Sequence, residues 1–173
     1  MTRRTRVVLG LGNPLRGDDG VGLAVAAALS RLLERKPIDG VRVVTSERGG
    51  LEVLPLLAEA GDAVVVDCLE VEAPTPGRVH WLSLDGMPGS PRVQGEHEVS
   101  LAEVLQIGRV LGVEMPASIV VLAIEAQPGP DIDDRLSPAL AARVERIAAL
   151  LHQHLSAGAG GRPAQGSGLE AEG

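Results

Sequence analysis

Short apolar runs alternate with longer segments of helical periodicity along most of this chain. Three apolar runs rich in β-branched residues predict buried strands, over residues 6–11, 63–68 and 118–124, and residues 41–45 form a further strand candidate. A fifth segment, Gly77 to Leu84, mixes apolar residues with Arg78, His80 and Ser83, which is typical of a strand at the edge of a sheet. The pattern therefore predicts a sheet of about five strands.

Helical patterns occupy the intervals between these strands. Apolar residues recur at helical spacing over residues 21–33, 51–59, 101–111 and 138–155. Ser100 and Glu103 have the spacing of a capping box, and Ser137-Pro138 has the sequence of a helix cap followed by proline at the first helical position.

This alternation of strands and helices predicts an α/β fold. We expect a three-layer α/β/α sandwich around a mostly parallel, twisted sheet. Residues 1–155 are predicted to form a single domain, and the Gly/Ala-rich residues 156–173 a disordered tail.

The segment from Arg6 to Gly22, RVVLGLGNPLRGDDGVG, reads as a strand, a tight polar loop and the start of a helix. Pro14 and Gly17 keep the loop out of helical conformation until it reaches Asp18 and Asp19. Ligands bind at the carboxyl ends of strands in open α/β sheets, so these two acids occupy a position suited to chemistry.

Composition and charge narrow the class of partner. The chain has no Phe or Tyr, Trp81 is its only Trp, and its net charge is −7. Base stacking and phosphate binding are therefore disfavoured, and we expect a protein, peptide or metal centre rather than a nucleic acid.

Cys68 is the only cysteine, which excludes an internal disulfide. No apolar run approaches the length of a membrane span, so we expect a cytoplasmic protein without a membrane partner.

Three side chains from separate connections could converge at one edge of the predicted sheet. Asp19 follows the first strand, Asp67 closes the central strand, and His97 precedes the helix of residues 101–111. Two carboxylates and an imidazole would form an open site for a divalent ion such as zinc or nickel. The simpler alternatives stay open at this point: helix capping for Asp18 and Asp19, a turn for Asp67 and a solvent-exposed loop for His97.

Other polar residues carry weaker signals. We expect Cys68 to be a structural thiol in a buried strand. We expect the histidines at positions 80, 152 and 154 to be surface groups. The acids of residues 131–134 lack the spacing of a calcium loop. The glycines of GLGNPLRG fit neither a dinucleotide fingerprint nor a phosphate loop.

Four segments together resemble a known family. VVLGLGNPLRGDDGVG, VVVDCLE, EHEVSLAEVL and IEAQPGPDIDDRLSP, in this order, are similar to the nickel–iron hydrogenase maturation endopeptidases, from about Arg6 to Leu155. The resemblance implies a phosphorylase/hydrolase-like α/β fold, in agreement with the pattern above. It also implies an enzyme of aspartic-peptidase type that removes the C-terminal extension of a hydrogenase large-subunit precursor after nickel insertion.

The same resemblance assigns roles to residues. It implies that Asp19, Asp67 and His97 contact the metal and take part in catalysis. The nickel would arrive with the precursor, although another divalent metal could occupy the site in isolation. The resemblance also places Gly49 and Gly50 in the peptide-positioning loop, where relatives often carry Gly-Thr.

Two further expectations concern the opening loop and the state of the protein. Asn13 is expected to tie the loop together through its side chain, and Asp18 to cap the following helix and support the loop. We expect the protein to act as a monomer.

Two other functions remain alternatives. A nickel-site binding module or maturation chaperone would need the same three ligands without cleaving a bond. Peptidyl-tRNA hydrolases also open with GLGNP, but this chain continues with Arg16-Gly17-Asp18-Asp19, and its acidic balance suits tRNA poorly.

Overall fold

A five-stranded sheet with helices on both faces forms the fold. A computed structural model describes residues 5–84, 100–129 and 131–158. The strands are β1 (Arg6–Leu11), β2 (Val41–Ser46), β3 (Asp62–Glu70), β4 (Val79–Ser83) and β5 (Ser118–Ala126). The helices are α1 (Val21–Arg35), α2 (Leu54–Leu57), α3 (Leu101–Val110), α4 (Pro138–Ala141) and α5 (Val144–Ser156). Single 3-10 turns at Gly17–Gly20 and Gly50–Val53 precede α1 and α2.

The strand order is β2-β1-β3-β5-β4, and every neighbouring pair is parallel except β4 with β5. Arg6 pairs with both Val41 and Asp62, and Asp62 pairs with Ser118, so the four parallel strands start level with one another. We call the side of the sheet where these strands start the amino edge and the side where they end the carboxyl edge.

Side-chain alternation along the strands divides the core into two layers. Val64 and Val66 of β3 face the cluster formed with α1 and α5, whereas Ala63 and Val65 face the cluster formed with α2 and α3. Because side chains alternate across a strand, consecutive residues of one apolar run fill both layers. The predicted α/β/α sandwich around a mostly parallel sheet is confirmed.

Two helix predictions are wrong in detail. Residues 51–59 form a 3-10 turn and the single-turn helix α2 instead of one helix, since Pro55 lacks an N–H and Glu59 has a positive φ of 64°. The final helix is two helices, because the N–H of Arg143 bonds the carbonyl of Leu140 and tightens the chain between α4 and α5.

The edge strand and the capping box are confirmed. β4 lies at the edge of the sheet, and Ser100 and Glu103 form reciprocal hydrogen bonds at the start of α3. Of the tail expected over residues 156–173, Ser156 is the last residue of α5, and residues 159–173 lie outside the described part of the chain. Within the described part of the chain, no helix combines the length and apolar character of a membrane span.

Candidate active site

The opening loop folds back on itself between β1 and α1. The side-chain oxygen of Asn13 accepts a hydrogen bond from the N–H of Leu15 at 3.0 Å, and its carbonyl accepts one from Arg16 at 3.2 Å. A side chain at Gly12 would collide with the carbonyl oxygen of Asp19. The loop can therefore close this tightly only with glycine at position 12.

Asp19 lies at the inner turn of this loop. Its Oδ2 accepts a hydrogen bond from the N–H of Asn13 at 3.2 Å. Burial raises the pKa of the Asp19 carboxyl, while the Asn13 N–H and the charge of Arg16 lower it in part. The nearby charge of Glu70 raises it further.

Asp67 lies near the carboxyl end of the central strand β3, with only 6% of its surface exposed. Its Oδ1 accepts the N–H of Cys68 at 2.8 Å, whereas its Oδ2 is buried and has no hydrogen-bond partner among the described residues. Burial raises the pKa of Asp67 to about 7, the Cys68 N–H opposes that rise, and the charge of Asp19 adds to it. The two carboxylates are thus close enough to interact electrostatically.

Asp18 does not cap α1 as expected. The N-cap of α1 is Gly20, without a side-chain hydrogen bond, and the Asp18 carboxylate accepts the N–H of Ser137 at 2.6 Å and its hydroxyl at 2.9 Å. Ser137 is the N-cap residue of α4, but its side chain makes no capping hydrogen bond to that helix. These two hydrogen bonds tie the opening loop to the start of α4, across 119 residues of sequence.

Gly49 and Gly50 lie in the loop that follows β2, at the carboxyl edge. Gly50 adopts a φ of +69°, and the space where its side chain would stand is open. This conformation favours glycine.

His97 lies outside the described residues. Backbone hydrogen bonds show the direction of α3, the helix that follows it. Glu59 donates to the carbonyl of Glu114, and Ala117 donates to the carbonyl of Gly61, each at 2.9 Å, so the chain leaves α3 at the amino edge. The start of α3 therefore points toward the carboxyl edge. Within the described ranges, no three His, Cys, Asp or Glu side chains form a metal-binding group.

Sequence reasoning missed a second buried acid at the same edge. Glu125 of β5 accepts hydrogen bonds from the N–H of Thr75 at 2.8 Å and from His80 Nε2 at 2.7 Å, and Arg78 lies at 4.0 Å. Burial alone would raise the pKa of Glu125, but these donors lower it overall. His80, expected to be a surface group, is thus partly buried and paired with Glu125. A charged residue inside the apolar run SIVVLAIEA was the available signal.

Cys68 is chemically quiet. Burial, followed by the charges of Asp19 and Asp67, raises the pKa of its thiol to about 12. The thiolate is the nucleophilic form of cysteine, so the raised pKa disfavours this side chain as a nucleophile near neutral pH. The buried Cys68 thiol therefore fits the structural role expected from the sequence.

Comparison with known proteins identifies one family. A family model described as hydrogenase maturation protease matches residues 23–154. The chain is 26% identical over 157 residues to the hydrogenase 2 maturation protease of Escherichia coli, covering 85% of this chain and 90% of that protein.

Solved structures share the fold. The hydrogenase maturating endopeptidase HybD from Escherichia coli superposes with a TM-score of 0.69 and 23% identity, covering 88% of this chain and 93% of that one. A NiFe hydrogenase maturation protease, HycI from Thermococcus kodakarensis, superposes with a TM-score of 0.67 and 21% identity, covering 90% and 94%.

Proposed function

This chain belongs to the hydrogenase maturation protease family, and from that membership we propose that it removes the C-terminal extension of a hydrogenase large-subunit precursor after nickel insertion. The family activity is peptide-bond hydrolysis, which argues against the peptidyl-tRNA hydrolase alternative. The partner is the nickel-loaded precursor, and the nickel enters the site as part of the substrate.

The unpartnered oxygen of Asp67 is the observation that carries this proposal. Buried polar atoms are nearly always hydrogen-bonded, because an unsatisfied one costs about 1–3 kcal/mol. Asp67 Oδ2 has no partner among the described residues, and the charge of Asp19 adds to the cost of ionising Asp67. A bound divalent cation would relieve both penalties, since it coordinates carboxylate oxygen and neutralises the pair.

We propose that Asp19, Asp67 and His97 together contact the metal of the precursor. Two carboxylates and one imidazole suit nickel, which accepts oxygen and nitrogen ligands. Cleavage would then depend on metal loading, because without the cation the two acids resist full ionisation.

The carboxylates can also take part in the hydrolysis itself. Water adds to the scissile carbonyl carbon, the C–N bond breaks, and the departing amine takes up a proton. A carboxylate of the pair can accept the proton of that water and return it to the amine, a role that burial favours by raising the pKa of both acids. When bound, the metal supplies positive charge beside the reacting carbonyl.

The loops around the acids would hold the substrate. Asn13 and Asp18 fix the opening loop through the hydrogen bonds described above. The open space at Gly50 leaves room for a peptide backbone to approach, and Gly49 lies beside it.

Intact-mass measurement of nickel-loaded and metal-free precursor after incubation tests the proposal. We expect cleavage of the nickel-loaded form only. Asp19→Asn, Asp67→Asn and His97→Ala should each reduce the rate by about 100-fold or more, the scale of losing a general base or a substrate ligand.

Matched controls separate the site from general effects of substitution. Asp62→Asn changes an acid at the amino end of the same strand as Asp67, and His152→Ala changes a histidine on α5. Both should cleave like the wild type. Full activity in two of the three site variants would refute the proposed site. If the wild type binds the nickel-loaded precursor tightly but does not cleave it, the maturation-chaperone alternative is supported instead.

We further propose that residues 1–155 act as one monomeric protease domain in the cytoplasm. The two core layers on either side of a single sheet support a single domain. Sedimentation of the purified protein measures its oligomeric state.

A further inference from the structure

Leu15 and Ile132 form an exposed apolar pair beside the acidic site, which we call the apolar rim. Leu15 is 58% exposed and Ile132 is 87% exposed. Leu15 belongs to the opening loop, and Ile132 belongs to the loop after β5. Single exposed aliphatic side chains are ordinary on protein surfaces, and these two are distinguished by their backbone pairing and by their position at the carboxyl edge.

Backbone hydrogen bonds hold the two parts of the apolar rim together. The N–H of Asp133 bonds the carbonyl of Leu15 at 3.1 Å, and the N–H of Gly17 bonds the carbonyl of Asp133 at 2.7 Å. Arg16 and Asp133 form a parallel bridge between the same segments. Leu15 takes part in this pairing through its own carbonyl, and Ile132 directly precedes the paired Asp133. This pairing reduces the backbone entropy lost when a partner orders the two side chains.

The topology places the apolar rim at the end of β3. In the sheet, β3 lies between β1 and β5, so the loop after β5 must pass the carboxyl end of β3 to reach the loop after β1. Arg16 forms a salt bridge with Glu70, the last residue of β3, at 3.8 Å. The apolar rim thus borders the strand end that carries Asp67.

This arrangement combines an acidic centre with an apolar border. We propose that the apolar rim binds an apolar polypeptide segment of the hydrogenase precursor next to its metal. The inference rests on the proposed function, in which the precursor brings a cation to Asp19 and Asp67. A protein that presents a cation to Asp19 and Asp67 must bring polypeptide to the same edge, and contacts that exclude water strengthen the polar interactions they enclose.

The chain contains a matched control patch. Val110 and Leu111 are also exposed, at 80% and 68%, but they lie at the end of α3. The N–H of Val113 bonds Gly108, and the chain then runs to the amino edge. Apolar exposure is therefore similar at the two places, while the distance from the acidic site differs.

Affinity for nickel-loaded precursor tests the apolar rim. We compare Leu15→Gln, Ile132→Gln and the double variant with the control Val110→Gln/Leu111→Gln. Each rim substitution should raise the Kd about tenfold, because the polar side chain loses the favourable burial of apolar surface against the precursor. The control should change the Kd less than about twofold, within the usual range for surface substitutions.

Two further readouts keep the outcomes distinct. Melting temperatures should match the wild type, because all four side chains are exposed, and kcat at saturating precursor should be retained. Rim variants that bind the precursor as tightly as the control overturn the inference, provided that the wild type binds and cleaves. A wild type that neither binds nor cleaves the precursor contradicts the proposed function itself.

Discussion

At the scale of single residues, the two buried acids of the sheet differ in their surroundings. Glu125 receives hydrogen bonds from Thr75 and His80, whereas one oxygen of Asp67 has no partner in the described part of the chain. Proteins retain unsatisfied buried groups mainly where function requires them, because such groups reduce stability. Glu125 therefore stabilises the fold, whereas the surroundings of Asp67 favour the metal-contacting role that we propose for it.

This difference predicts how stability changes with pH in Asp67→Asn. The folded pKa of Asp67, about 7, lies above the ordinary 3.8, so the folded state binds more protons between these values and the free energy of unfolding falls as pH rises. The rise corresponds to at most about 4 kcal/mol at 1.36 kcal/mol per pKa unit. Thermal denaturation should show Asp67→Asn several degrees more stable than the wild type at pH 8 and similar to it near pH 4. Equal melting temperatures throughout would contradict the account of Asp67.

Glu125→Gln is the control, because its effect on the free energy of unfolding should have the opposite sign. The folded pKa of Glu125 is lowered, so its ionised form adds stability above the ordinary pKa and loses it as pH falls. Glu125→Gln should therefore destabilise the protein by about 1–3 kcal/mol at pH 8, since the donors from Thr75 and His80 lose a charged acceptor. Its melting temperature should approach that of the wild type in acid.

Sequence could locate these residues better than it could describe their contacts. The apolar run before Asp67 predicts a strand end there, and β3 continues three residues further, to Glu70. Asp18 and Ser137 both had the local sequence of helix caps, yet they bond each other, because a tertiary partner replaced the local one. Contacts between segments more than 100 residues apart leave no local pattern.

At the scale of elements, the start of α1 is packed directly against strand backbone. A side chain at Gly22 would collide with the carbonyl oxygens of Leu11 and Val66, and one at Gly10 would meet the backbone of Gly22. Glycine thus lets α1 start close to the carboxyl ends of β1 and β3. The 3-10 turn that carries Asp19 leads directly into this contact.

Gly22→Ala should consequently destabilise the fold by about 3 kcal/mol or more, because the added methyl meets backbone that cannot rotate away. Gly108→Ala is the matched control in α3. Its methyl would meet the flexible side chain of Met115, and the gain in helix propensity offsets part of the cost. Urea denaturation should show a large loss for the first variant and a change of about 1 kcal/mol or less for the second. Equal losses would contradict the packing argument.

The sequence predicts helices best where helical periodicity extends over many residues, and strands best where the run is almost entirely apolar. β1 and α1 begin at the predicted residues, and β3 and β5 extend one to two residues beyond the prediction. The segment of residues 51–59 failed because its apolar spacing is helical while Pro55 and Glu59 favour turns. Periodicity alone does not weigh backbone conformation against side-chain pattern.

At the scale of the whole molecule, the carboxyl edge gathers the loops after β1, β2 and β5 around the end of β3. The parallel sheet and its two helical layers followed from the alternation of elements. The strand order and the passage of the loop after β5 beside the opening loop did not, because neighbours in the sheet are distant in sequence. Those long-range pairings bring the acidic centre and the apolar rim to one surface.

The central proposal is that Asp67 contacts the metal of the precursor. A thermodynamic cycle that varies the nickel and Asp67 separately tests it most directly. Four dissociation constants are measured by titrating nickel-loaded and metal-free precursor against the wild type and Asp67→Asn. We expect nickel to tighten binding to the wild type about tenfold or more and to leave binding to Asp67→Asn nearly unchanged, a coupling of about 1.4 kcal/mol or more. An equal effect of nickel on both proteins would contradict the claim.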